Sequence, residues 1–140
     1  MPSAAFPEIL LSITHRSDLG ILVGRWSYQP EPAQLPDAYS LLTQEALACG
    51  CRLWLQDIRS RTLNDPQTTQ WLLCDYFPQM AQQLRGRLAV AYLASPMLME
   101  LIVNGPGYKQ PEAYVTEPYV IAFFGNEGEA LAWLELERNR

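Results

Sequence analysis

The residues best suited to chemistry lie in Asp57-Ile58-Arg59-Ser60-Arg61-Thr62-Leu63-Asn64-Asp65, where a carboxylate is followed at alternate positions by two guanidinium groups. The two groups match in planar, two-pronged hydrogen bonding, so Asp57 can hold Arg59 while Arg61 stays free to receive an anion. If the extended chain continues past Asp57, alternation projects all three to one side. Asn64 and Asp65 close the segment, and Asp65-Pro66 is a strong helix start. An Asp side chain accepts an orphan N–H, contributing about 1 kcal/mol, and proline suits the first helical position. Helix starts also attract anions, although Asp65 itself partly occupies this one. The segment therefore reads first as structural pairing of Asp57 with an arginine, and second as a receptor for a carboxylate or phosphate.

The other reactive groups are three cysteines, Cys49, Cys51 and Cys74, and a single histidine, His15. Cys49-Gly50-Cys51 is too short a spacing for an ordinary unstrained bridge, and an odd count suits a reducing cytoplasm. Zinc takes about four ligands, usually Cys and His in close pairs. His15 is far along the chain from the cysteines, so no metal site is expected and the thiols read as small buried hydrophobes. Nucleophilic catalysis needs an activated Ser or Cys beside a base, and the sole imidazole sits in a predicted hairpin turn. With no phosphate loop, nucleophile elbow or metal-binding repeat, neither a catalytic residue nor a cofactor is expected.

Composition narrows the classes further. The 140 residues suffice for one domain with its own core, and 15 acids against 10 bases give a net charge of -5. That balance leaves no excess cation for a phosphate backbone, so nucleic acid is not an expected partner. No apolar run approaches the roughly 18 to 20 residues that cross a bilayer, and no basic start leads into a long apolar stretch. A cytoplasmic protein without a membrane span is expected. Charge is uneven: residues 100 to 137 hold seven glutamates against Lys109 alone, while Arg52, Arg59, Arg61, Arg85 and Arg87 occupy the middle. Local pairing on a solvated surface is the plain reading; a basic and an acidic face suited to self-association is the sharper one.

The elements follow from periodicity. Ile9 to Thr14 and Ile21 to Trp26 flank a polar, Gly-ended turn, as in a hairpin. Pro30, Pro32 and Pro36 make a stiff connection, and a helix runs from Asp37 to its stop at Gly50. Cys51 to Ile58 reads as a strand. Leu73, Tyr76, Phe77, Met80 and Leu84 form one stripe of the helix opened at Asp65, with a kink or break expected at Pro78. Leu88 to Ala94 reads as a strand buried on both faces, and Ser95-Pro96 opens a helix with Leu98, Leu101 and Ile102 at helical spacing. Tyr119 to Phe124 is the last strand, and Asn126 caps a final helix carrying Ala130, Leu131, Trp133 and Leu134 inward. The order β-β-α-β-α-β-α-β-α predicts an α/β domain: a small mixed sheet of about five strands, an N-terminal hairpin and about four helices. Residues 1–8 and 138–140 are expected to be loose ends of this single domain.

This order, the strand exit Trp54-Leu55-Gln56-Asp57-Ile58-Arg59, the strand Arg87-Leu88-Ala89-Val90-Ala91 and the closing Phe123-Phe124-Gly125-Asn126-Glu127-Gly128-Glu129-Ala130-Leu131-Ala132-Trp133-Leu134 resemble STAS-like domains. These are the anti-sigma-factor antagonist fold and its SpoIIAA-like bacterial relatives. The resemblance covers nearly the whole chain and implies a non-catalytic module that binds a protein, a lipid or a small ligand. In antagonists that switch by phosphorylation, an Asp-Ser pair opens the helix after the central strand. Here the matching position is Asp65-Pro66, and proline offers no hydroxyl to phosphorylate.

Two function classes are carried forward, with an enzyme of unknown type as a third alternative behind them. The first is a regulatory or protein-interaction module that self-associates or binds a protein partner, with Trp71, off the main stripe of its helix, as a contact residue. The second is a binder of an acidic small molecule or lipid near Arg59 and Arg61. The long connection from Asn104 to Pro118, bearing Tyr108 and Tyr114, would then be its cover, unless those tyrosines merely anchor a surface loop.

Overall fold

A computed structural model describes residues 9–139; the expected loose ends at 1–8 and 140 lie outside the described residues. The hairpin forms from β1 (Leu11–Arg16) and β2 (Ile21–Trp26), so His15 belongs to the strand and not to the turn. After a single 3-10 turn, α1 (Leu35–Cys49) begins two residues before Asp37, with Pro36 in its first turn. It stops where Gly50 adopts φ 67, the left-handed conformation that glycine reaches without a Cβ clash. β3 (Leu53–Asp57) is buried at every position. The Asp65 carboxylate then accepts the Thr68 amide at 3.2 Å and opens α2 (Pro66–Trp71).

Pro78 does not break this helix. A π turn, Leu72–Tyr76, joins α2 to α3 (Phe77–Leu84), and the three segments run on as one helix with Pro78 in the first turn of α3. The wider turn lies where proline has no N–H to give the preceding carbonyls and where its ring needs room. The irregularity therefore sits one turn upstream of the residue that causes it.

β4 (Leu88–Leu93) and β5 (Tyr119–Phe124) match the expected apolar runs. Ser95 caps α4 (Pro96–Val103) by accepting the Leu98 amide at 3.2 Å. Asn126 caps α5 (Glu127–Arg138) by accepting the Glu129 amide at 3.0 Å. Arg138, expected in a loose end, is the last helical residue, and its guanidinium donates to the Leu19 carbonyl in the hairpin turn. Among the described residues no helix is long and apolar enough to cross a membrane.

The sheet order is β1-β2-β3-β4-β5, antiparallel at the first pair and parallel thereafter. Right-handed crossovers that always advance to the next strand place their helices on one face. Ring contacts show this for α1 and α3: Tyr39 lies 5.6 Å from Trp26, and Phe77 lies 5.6 Å from Tyr119. Helix α5 covers the opposite face, with Trp133 5.6 Å from Phe124. Helix α4 is the exception to good coverage. Seven of its eight residues are apolar, yet only Leu98 is buried; Leu101 is 47% exposed and Met97 75%.

Register aligns Gly24, Gln56, Tyr92 and Phe123 in one row on the crossover face. Gln56 is buried there and accepts the Trp26 indole N–H at 2.8 Å through Oε1. Its amide nitrogen turns toward Gly24, where a Cβ would lie 2.9 Å from it. Glycine inside a strand thus marks a close approach. Gly24→Ala should destabilise the chain by about 1–3 kcal/mol and disturb the Trp26 environment, measured by denaturant unfolding followed through tryptophan fluorescence. An unchanged midpoint would contradict this account of the row.

Candidate functional site

Four parallel strands, β2 to β5, deliver their carboxyl ends to one rim, and Asp57 is the last residue of β3, the middle strand of the sheet. Its carboxylate accepts four hydrogen bonds. Arg59 grips it with Nε at 3.0 Å, Nη2 at 2.8 Å and its own backbone N–H at 3.2 Å. Arg25, opposite Asp57 in the β2–β3 register, adds Nη1 at 2.9 Å. The same Arg25 nitrogen reaches Glu127 in the first turn of α5 at 3.1 Å. Burial by itself would raise the Asp57 carboxyl, but the Arg59 guanidinium and amide, followed by Arg25, outweigh it and hold Asp57 below the usual carboxylate range.

The charges at this junction cancel. Two guanidinium groups face two carboxylates, so the cluster carries no surplus charge for an incoming anion. Arg59, expected beside a ligand, is spent on Asp57. The structure also separates Arg61 from it, because the strand ends at Asp57 and the chain turns before the alternation can continue. Asp57 belongs to the α5 face. Arg61 instead stacks on Trp26 of the crossover face, its guanidinium carbon 4.5 Å from the ring centroid.

Arg61 is only 6% exposed. One nitrogen donates to Asn64 Oδ1 at 2.5 Å, the backbone N–H donates to the Ile58 carbonyl at 3.0 Å, and Nε has no hydrogen-bond partner. Among the described residues no carboxylate pairs with it. Burial raises Tyr39 above the ordinary phenol range, and the nearby Arg61 charge opposes that rise.

The remaining expected site residues scatter. Asp65 is an exposed helix cap, its carboxyl lowered chiefly by the Thr68 hydroxyl. Trp71 is 39% exposed and packs edge-on against Tyr39 at 5.4 Å and beside Tyr76 at 5.0 Å, extending the aromatic cluster to the surface. Tyr108 rests 6.2 Å from Phe123 and Tyr114 is buried 5.7 Å from Tyr119, so both tyrosines anchor the connection on β5. The Tyr114 carbonyl also accepts Arg87 Nη2 at 2.8 Å. Part of the uneven charge along the chain is paired inside the fold, where Glu127, Glu137 and Glu135 of α5 meet Arg25, Arg87 at 3.6 Å and Arg138 at 3.0 Å.

Sequence reasoning missed Arg25 and Glu127. The signal for Arg25 was its position at the end of β2, level with the end of β3; Glu127 needed the packing of α5. No protein-family model matches the sequence, and no curated protein matches it.

Because the folded-state Asp57 carboxyl is lowered, its contribution to stability is full above the unfolded value of about 4 and is lost as pH falls through the lower folded value. Asp57→Asn should cost about 1–2 kcal/mol at pH 7, discounted for the solvent exposure of both arginines, and should flatten the stability loss below pH 4. Urea unfolding of both proteins from pH 7 to pH 3 checks this. Parallel pH curves for the two would contradict it.

Proposed function

We propose that the chain is a STAS-like, non-catalytic interaction module that pairs with a second copy of itself through the apolar face of α4. The observation that carries this reading is the exposure of Met97, Leu101 and Val103 on a helix whose only charged residue is Glu100. Exposed apolar surface concentrated on one element marks a contact face. A two-fold pairing sets the same patch against itself and needs no partner of complementary charge. Support for the STAS-like assignment comes from the element order, the leading hairpin and the parallel run of the sheet. The neutral junction at Asp57 fits a module whose strand ends brace α5 without recruiting an anion.

A second reading rests on Arg61, a buried cation with an unpartnered Nε. An acidic small molecule or lipid headgroup would supply the missing acceptor.

Native mass spectrometry of the protein as isolated separates the two. The pairing reading expects a dimer, with Leu101→Glu raising the dissociation constant by more than about tenfold while leaving the fold intact by circular dichroism. A chain that stays monomeric at every concentration would overturn it. A monomer with bound anionic mass, lost in Arg61→Met, would establish the second reading in its place.

A further inference from the structure

His15 ends up against Cys49 and Cys51, from which more than thirty residues of chain separate it. Helix α1 returns antiparallel to the strands it connects, so its carboxyl end arrives at the amino end of β3. The hairpin brings the carboxyl end of β1 to the same corner, on the face that α1 covers. The left-handed turn at Gly50 then lets both flanking cysteines reach toward the imidazole. One His15 nitrogen and the two sulfurs all lie within 4.8 Å of one another, and among the described residues no other such group of histidine, cysteine or acidic side chains forms.

These donors are held only loosely. The cysteines are free thiols, and the His15 ring is exposed. Cys49 makes a weak S–H contact with the Ala46 carbonyl at 3.6 Å and a thiol–thiol hydrogen bond with Cys51, both of which metal binding would replace. Zinc binds thiolate at about 2.3 Å and imidazole at about 2.0–2.1 Å, which sets tetrahedral donors roughly 3.5–3.8 Å apart. The 4.8 Å limit of the observed cluster lies about 1 Å above that spacing, a gap that the ligands must close on binding.

We propose that His15, Cys49 and Cys51 form a zinc site that ties the edge strand β1 to the α1–β3 turn. On binding, each thiol gives its proton to solvent and its sulfur bonds the ion, while neutral His15 donates a ring nitrogen. Two thiolates balance the dication, so nearby Arg138 faces no net charge. Three protein ligands would leave a fourth position for water.

The test uses the full chain without a histidine tag, reduced with a phosphine and titrated with Zn2+ against a chromophoric chelator. Co2+ serves as a spectroscopic probe. About one ion per chain, a thiolate-to-cobalt charge-transfer band, proton release and a Zn2+-dependent rise in the melting midpoint are expected. His15→Ala and Cys49→Ser, at exposed and half-buried positions, should weaken binding by more than the roughly 10- to 100-fold that loss of a group supporting a ligand costs. Cys74→Ser should bind as the parent does. No binding by the reduced parent, or equal binding by His15→Ala and the parent, would overturn the proposal.

Discussion

Everything positioned in this molecule depends on a strand order that never reverses. From β2 to β5 each crossover advances by one strand in the same direction, which assigns the connecting helices to one face and leaves α5 to cover the other. Open α/β sheets bind ligands in the crevice that appears where the strand order reverses and neighbouring helices part to opposite faces. Here the parallel strands have no reversal, so the carboxyl rim has no such crevice. Side chains fill the space instead: Arg59 folds back on Asp57, and Arg61 lies against Trp26.

This constraint gives the sheet two distinct ends. At the carboxyl end, Arg25 links β3 to the start of α5 through Asp57 and Glu127, so the last helix is registered to the central strands by charge as well as by packing. At the amino end, the hairpin and α1 converge on the thiols around Gly50. Between the ends lies an aromatic cluster built from Trp26, Tyr39, Trp71 and Tyr76 on the crossover face. Helix α4 takes little part in this packing, and Met97, Leu101 and Val103 are not covered by the other described residues.

Much of the fold was legible in the sequence because its strongest signals are local. Asp65-Pro66, Ser95-Pro96, Asn126 and Gly50 mark helix ends by chemistry that acts over a few residues, and each acts where expected. The apolar runs of β3, β4 and β5 are equally plain. The site was less legible because it depends on register and on where strands stop. Nothing local tells that β3 ends at Asp57, and one residue more or less of strand decides whether Arg59 and Arg61 share a face. Arg25 meets Asp57 only through the β2–β3 pairing, and His15 meets the cysteines only through the return of α1. Leu101 kept its helical spacing yet stayed exposed, since periodicity says which residues share a stripe but not whether anything covers it.

The central claim is that α4 is the chain's contact face, and amide hydrogen exchange measured across a range of protein concentrations tests it most directly. The account predicts that protection of the α4 amides rises with concentration while α1, α3 and α5 exchange at constant rates, because pairing covers α4 alone. Exchange in α4 that is independent of concentration, or a concentration-dependent response located in another element, would contradict it.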